Sequence, residues 1–174
     1  MRRSAVLVLS LAPLLASCRG PHAPATETRS AAPTAAASLT PLQRVASIHG
    51  GAGPWAVLGY RMGLFALEKL ALSPGSFDLD VKHESPRSPQ FACVADGAQA
   101  ATGASLGKVN LSLVEAAETQ IRTTYKKKST GQTLILRPTQ AFRDRFMDVP
   151  RAKLGEAGAQ VLDLPNEALF EEEK

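Results

Sequence analysis

Residues 54–72 read PWAVLGYRMGLFALEKLAL, and their periodicity decides how the rest of the chain must be arranged. Trp55, Leu58, Met62, Phe65 and Leu70 recur at helical spacing, with Val57, Leu64 and Leu67 beside them. The stretch is therefore a helix with a wide apolar face that needs a broad surface to pack on. Pro54 suits the first helical turn, where its missing N–H loses no partner. Ser73-Pro74-Gly75 is the stop. Gly59 and Gly63 lie four apart on this helix. They either admit a second backbone at close range or merely weaken a buried helix.

Downstream, the period changes. Phe77 to His83 alternates as FDLDVKH, a strand with Phe77, Leu79 and Val81 facing inward. Ser85-Pro86-Arg87-Ser88-Pro89 breaks the chain, and the Ala-rich run Gln90–Thr102 is a second helix ending at Gly103. Leu106–Glu115, Thr119–Lys127 and Thr133–Arg137 look like three strands, with Ser129-Thr130-Gly131-Gln132 as a hairpin turn. Short helices follow around Ala141–Met147 and Arg151–Gly158. Helices ahead of a run of sequential strands predict an α+β domain, a long helix and a second helix packed on a mainly antiparallel sheet.

Upstream, residues 1–18 read MRRSAVLVLSLAPLLASC. Two arginines precede an apolar run of secretory length, too short for a transmembrane helix, which needs about 20 apolar residues. Leu15-Ala16-Ser17-Cys18 resembles the lipobox of bacterial lipoproteins, where the signal is cut before a cysteine that then carries lipid. Arg19 is not the Asp associated with inner-membrane retention. The expectation is a signal peptide over residues 1–17 and lipidation at Cys18. The product would be held in the outer membrane, facing the periplasm. Residues 18–41, rich in Ala, Pro, Thr and Ser, form a tether, because they offer too little apolar surface to offset the entropy of ordering. The folded domain is expected over residues 42–174. With Cys18 acylated, Cys93 is the one thiol left, and no internal disulfide can form.

Composition narrows the classes of function. The chain has 174 residues, 44% hydrophobic and 21% charged, which suits one globular domain and excludes a disordered acidic tail or a multi-span membrane protein. Formal charge is +4, with 20 basic against 16 acidic side chains. Arg2 and Arg3 leave with the signal, so the remaining balance carries no nucleic-acid footprint. No HExxH, no paired-cysteine motif and no Ser-His-Asp order occurs, so hydrolase and zinc-finger readings have no basis.

Three segments carry candidate chemistry. In His49-Gly50-Gly51-Ala52-Gly53-Pro54, glycines free the backbone to wrap a ligand ahead of a helix N-terminus that favours anions, and His49 can ligate a metal or move a proton. The alternative is a glycine turn whose histidine is satisfied by backbone. Cys93, with Asp96 one turn later, faces either the same pocket or the core. Thr102-Gly103-Ala104-Ser105-Leu106-Gly107-Lys108 is not a phosphate loop: the glycine spacing is one residue short, Val109 follows Lys108, and the segment lies after a helix. Lys126-Lys127-Lys128 reads as a solvated run that blunts a strand edge, with contact to anionic lipid as the alternative.

Together these segments resemble the FmdE family, named for a component of formylmethanofuran dehydrogenase. Its members carry a His-Gly-His-x-Cys-Pro-Gly stretch, then Gly-Tyr-Arg, a Cys-x-x-Asp-x-x-Gln helix, Thr-Gly-Cys-Thr-x-Gly-Lys and an Asn-Leu strand. Here the order is His49-Gly50-Gly51-Ala52-Gly53-Pro54, Gly59-Tyr60-Arg61, Cys93 to Gln99 with Asp96 inside, Thr102 to Lys108, and Asn110-Leu111, within about residues 48–137. The resemblance implies the α+β fold and a pocket built from those loops, with His49, Gly50, Gly51, Asp96 and Lys108 as ligand-binding candidates. It also implies a divalent transition metal such as zinc, with His49 and Cys93 as its ligands. This sequence departs from the family at Gly51, Gly53 and Ala104, where a His and two Cys would stand. A tight zinc site wants four ligands and a catalytic one at least three, so His83, Asp96 or a bound ligand would have to join. FmdE is itself an accessory component of the dehydrogenase, so the match does not imply formylmethanofuran chemistry.

The reading that follows is a non-catalytic binding module for a metal ion or small anion in the cell envelope. Its rivals are an enzyme using His49 as base or Cys93 as nucleophile, and a structural domain with a relic pocket, for which a homodimer is expected.

Overall fold

The computed structural model describes residues 38–174. The signal peptide, the Cys18 lipidation site and most of the tether lie outside the described residues. Thr40 and Gln43 close a capping box: the Thr40 hydroxyl accepts from the Gln43 amide, and the Gln43 side chain accepts from the Thr40 amide at 2.9 Å. That nucleates α1 (Pro41–His49), which ends at Gly50 in the left-handed region, φ 84°. Apolar periodicity passes over this helix because only Val45 on it is buried. Its start and stop signals are nonetheless in the sequence.

The long helix is α2 (Pro54–Lys69) and the second is α3 (Pro89–Thr102), closed by left-handed Gly103. They pack face to face, and glycine decides how closely. A Cβ on Gly59 would land on the Val94 carbonyl, and one on Gly97 on the Ala56 carbonyl. At Gly63 it would sit 2.7 Å from the Ala101 Cβ. The first of the two readings of the Gly59/Gly63 pair therefore holds: these positions admit a second backbone.

A five-stranded sheet supports the helices, in the order β2-β1-β3-β4-β5. The strands are β1 (Leu79–Ser85), β2 (Leu111–Glu115), β3 (Arg122–Lys127), β4 (Thr133–Pro138) and β5 (Phe170–Glu172). β1 pairs with β2 in parallel, Val81 opposite Leu111, and α3 makes the crossover that parallel pairing requires. The other pairings are antiparallel, with Val81 opposite Tyr125 and Tyr125 opposite Leu134. Along β1 the odd residues Leu79, Val81, His83 and Ser85 turn to the helices, and the even ones carry Asp80, Lys82 and Glu84 on the other face. The core lies between that sheet face and α2/α3, with Leu58, Met62, Tyr125, Leu136 and Phe142 fully enclosed. The architecture is α+β, as the order of periodicities predicts.

Several expected boundaries shift for local reasons. Phe77 lies outside β1 and is 66% exposed, its ring 5.2 Å from the Lys108 ammonium, so it does not face inward. The expected strand Leu106–Glu115 begins only at Leu111. The Ser105 hydroxyl accepts from the Lys108 amide and folds 106–108 into a 3₁₀ turn, leaving Val109 left-handed at φ 55°. The next strand likewise starts at Arg122, after a 3₁₀ turn over Glu118–Gln120. Helices α4 (Gln140–Phe146), α5 (Leu154–Asp163) and α6 (Asn166–Leu169) complete the chain. Helix α5 runs through Gly158 to Asp163, and a Cβ at 158 would strike the Ala52 carbonyl. That contact seats α5 against the glycine loop.

Candidate functional site

The loop Gly50–Gly53 joins the C-terminus of α1 to the N-terminus of α2. Left-handed Gly50 turns the chain, and Gly53 stands at the N-cap of α2 with no side chain to cap the helix. The first-turn N–H groups of α2 are thus left for another acceptor. A Cβ at Gly50 or Gly51 would meet nothing within 4 Å, so this loop borders open space.

His49, the last residue of α1, reaches α3. Its Nδ1 donates to the Asp96 carboxylate at 2.8 Å, with the two side chains 30% and 41% exposed. A carboxylate only accepts, so the proton sits on Nδ1 and Nε2 is the open nitrogen of the ring. Nε2 has no hydrogen-bond partner among the described residues. Asp96, 47 positions away in sequence, is the orienting group for this histidine.

Two cavities meet at His49. The larger, about 710 Å³, is bounded by the Gly50–Gly53 loop, Trp55, Gln90, Phe146, Arg151 and Leu154. The smaller, about 350 Å³, lies between α3 and the edge strand β2, and Asp96, Gln99, Leu106 and Leu113 line it. Cys93 touches both. Its thiol is buried and donates to the Gln90 carbonyl at 3.2 Å. Burial, and secondarily the Asp96 charge, push its pKa up to about 12, so at neutral pH it is a thiol and not a thiolate.

The structure therefore brings His49, Gly50, Gly51, Asp96 and Cys93 together. It places Lys108 elsewhere. The Lys108 ammonium donates to the carbonyls of Gly103 at 2.8 Å and Gly75 at 3.3 Å, which straps its loop to the turn after α2. Lys108 lines neither cavity. His83 is sealed in the core: Nδ1 accepts from the Thr123 hydroxyl, and Nε2 donates to the Phe91 carbonyl at 3.1 Å. Arg61 of the Gly-Tyr-Arg motif binds the Val161 and Leu162 carbonyls and the Asn166 side chain, capping α5.

A metal ion does not fit the donors present. Among the described residues no three His, Cys, Asp or Glu side chains converge. With Nδ1 on Asp96, His49 offers one nitrogen, Nε2, and the buried Cys93 offers the one thiol sulfur lining the same cavity, fewer than the three or four ligands a zinc site uses.

The far wall of the larger cavity has no signature in the sequence. Trp55 reads as core, and it is 3% exposed. Its indole N–H donates to the Phe146 carbonyl at 3.0 Å, and its ring meets Phe91 and Phe142 edge-on at 5.0 and 5.1 Å. Arg151 and Leu154 arrive from a segment about 100 residues downstream. The Gly158–Ala52 contact brings them there, and no local motif announces it.

A family model described as FmdE, molybdenum formylmethanofuran dehydrogenase operon, matches residues 48–171. No curated protein matches the chain.

Proposed function

The chain belongs to the FmdE family, and on that premise we propose that its domain is a non-catalytic module that binds a small anion at the His49 loop, in the cell envelope. One observation carries the reading. An imidazole oriented by Asp96 at 2.8 Å stands where an uncapped helix N-terminus and a glycine loop wall a cavity of about 710 Å³. Helix N-terminal amides favour an anion by geometry and by partial charge. With Nδ1 given to Asp96, the ring offers an anion a donor at Nε2 only in its doubly protonated form, which is the form this reading uses. The metal alternative is weaker on the same geometry, because the donors do not close a site. The cell-envelope part of the proposal is supported by the Met1–Cys18 segment alone.

Titration calorimetry of the full chain with acetate and inorganic phosphate, beside His49→Ala, tests the reading. Saturable binding lost in the variant supports it. Identical heats in both proteins would remove His49 from the site.

The same pair supports one further reading, an enzyme with His49 as general base, since an aspartate-oriented imidazole suits proton transfer. Cys93 is not paired with His49 in it, because its buried thiol donates to the Gln90 carbonyl instead. NMR of a bound anion over hours separates the two: an unchanged spectrum favours the module, and a new product favours the enzyme.

A further inference from the structure

The two sides of the larger cavity differ in chemistry. Its fixed cation is Arg151, and His49 adds a donor when Nε2 carries a proton as well as Nδ1. Arginines 87, 122, 137 and 143 each pair with a carboxylate. Arg151, exposed in the 3₁₀ turn ahead of α5, has no side-chain partner among the described residues. A charge left unpaired at a cavity wall is available to a ligand, and a guanidinium matches the two oxygens of a carboxylate.

The facing wall is apolar and stiff. Trp55 is held by its hydrogen bond to the Phe146 carbonyl and by edge-on rings, so it cannot rotate away. Trp55 and Phe146 are each 3% exposed and back this wall, while part-exposed Met147 and Val149 and the 37%-exposed Leu154 present its apolar surface. A bare inorganic ion would use the donors and leave this wall wet. A cavity of this size and lining suits an organic ligand fixed by a few polar groups.

We infer that the cavity takes an organic acid: a carboxylate held by His49 and Arg151 on an aromatic or branched apolar body that packs against Met147, Val149 and Leu154 over the buried Trp55 and Phe146. The inference rests on the anion-binding reading above and adds the chemical class of the ligand.

The test is calorimetric titration of the full chain with benzoate, 3-phenylpropionate, acetate, inorganic phosphate and benzamide. Benzoate or 3-phenylpropionate binds about tenfold or more tightly than acetate, from burial of the apolar body. Benzamide, which lacks the charge, binds about tenfold or more weakly than benzoate. Arg151→Gln weakens both aromatic acids. Leu154→Ser weakens them and leaves acetate unchanged. Arg151 is exposed and Leu154 is 37% exposed, and thermal melting of each variant separates lost binding from lost fold. Acetate or phosphate matching the aromatic acids would overturn the inference and leave the anion reading standing. Benzamide matching benzoate would overturn it too. No binding by any of the anions would sink both.

Discussion

The α2–α3 seam and the Gly50–Gly53 loop are both rich in glycine, yet they use it oppositely. In the seam, Gly59 and Gly97 are glycine because another backbone already fills the space a Cβ would need. In the loop, Gly50 and Gly51 face nothing within 4 Å. Each region also has a histidine of matching character in or beside it. His83, on β1 beneath α3, is fully enclosed with neutral partners, and burial lowers its pKa to about 4. His49 is part-exposed, with a carboxylate on one nitrogen and an open cavity beside it. Glycine content and histidine presence therefore do not mark a site by themselves. What marks it is whether the space beside them is filled.

Gly97→Ala breaks the closed side hardest. Its new methyl meets the Ala56 carbonyl and the Tyr60 amide, both backbone, so one helix must move. We expect a loss of about 3 kcal/mol or more in urea unfolding, at or beyond the upper range for overpacking. A loss below about 1 kcal/mol would mean that the helices can part at little cost.

The His83 contribution follows next. An unfolded chain protonates this residue below about pH 6.5, while the folded protein resists until about pH 4. The stability it confers is full above pH 6.5 and is lost as pH falls towards 4, up to about 3 kcal/mol. Unfolding free energy measured across that window should fall more steeply for the parent than for His83→Gln. Equal slopes would contradict the buried neutral imidazole.

Smaller effects sharpen the open side. Thr40→Ala removes the cap that starts the helix carrying His49. It should cost about 1 kcal/mol and weaken anion binding by loosening the pair with Asp96. Gly51→Ala should change stability by no more than about 0.5 kcal/mol, since its methyl enters solvent-filled space, while reducing the affinity of any ligand lodged there. A large destabilisation at position 51 would mean that the loop is packed after all.

How much of this is legible in the sequence depends on the range of each signal. Helices α2 and α3, strand β1 and the hairpin are written in local periods and in Gly103 and Gly131, so a single pass finds them. Helix α1 is written in its caps and not in its apolar pattern, and periodicity alone walks past it. The motif order brings His49, Asp96 and Cys93 into one proposal, and they do meet. Lys108 shares that motif, but its ammonium binds the carbonyls of its own loop and of a neighbouring turn. Nothing local distinguishes that from a lysine aimed at a ligand. Arg151 and Leu154 are invisible because their approach depends on one distant glycine, Gly158, accepting the Ala52 carbonyl.

A single imidazole carries the anion site, and nitrogen-15 NMR of the histidine side chains observes it directly. His49 is assigned by its absence in His49→Ala, and benzoate and acetate are then titrated in. The prediction is a His49 tautomer protonated at Nδ1, with its Nε2 resonance moving saturably as anion is added and His83 unmoved. In the anion-free protein, a proton on Nε2 with none on Nδ1, or at any point a His49 signal indifferent to both anions, would contradict it.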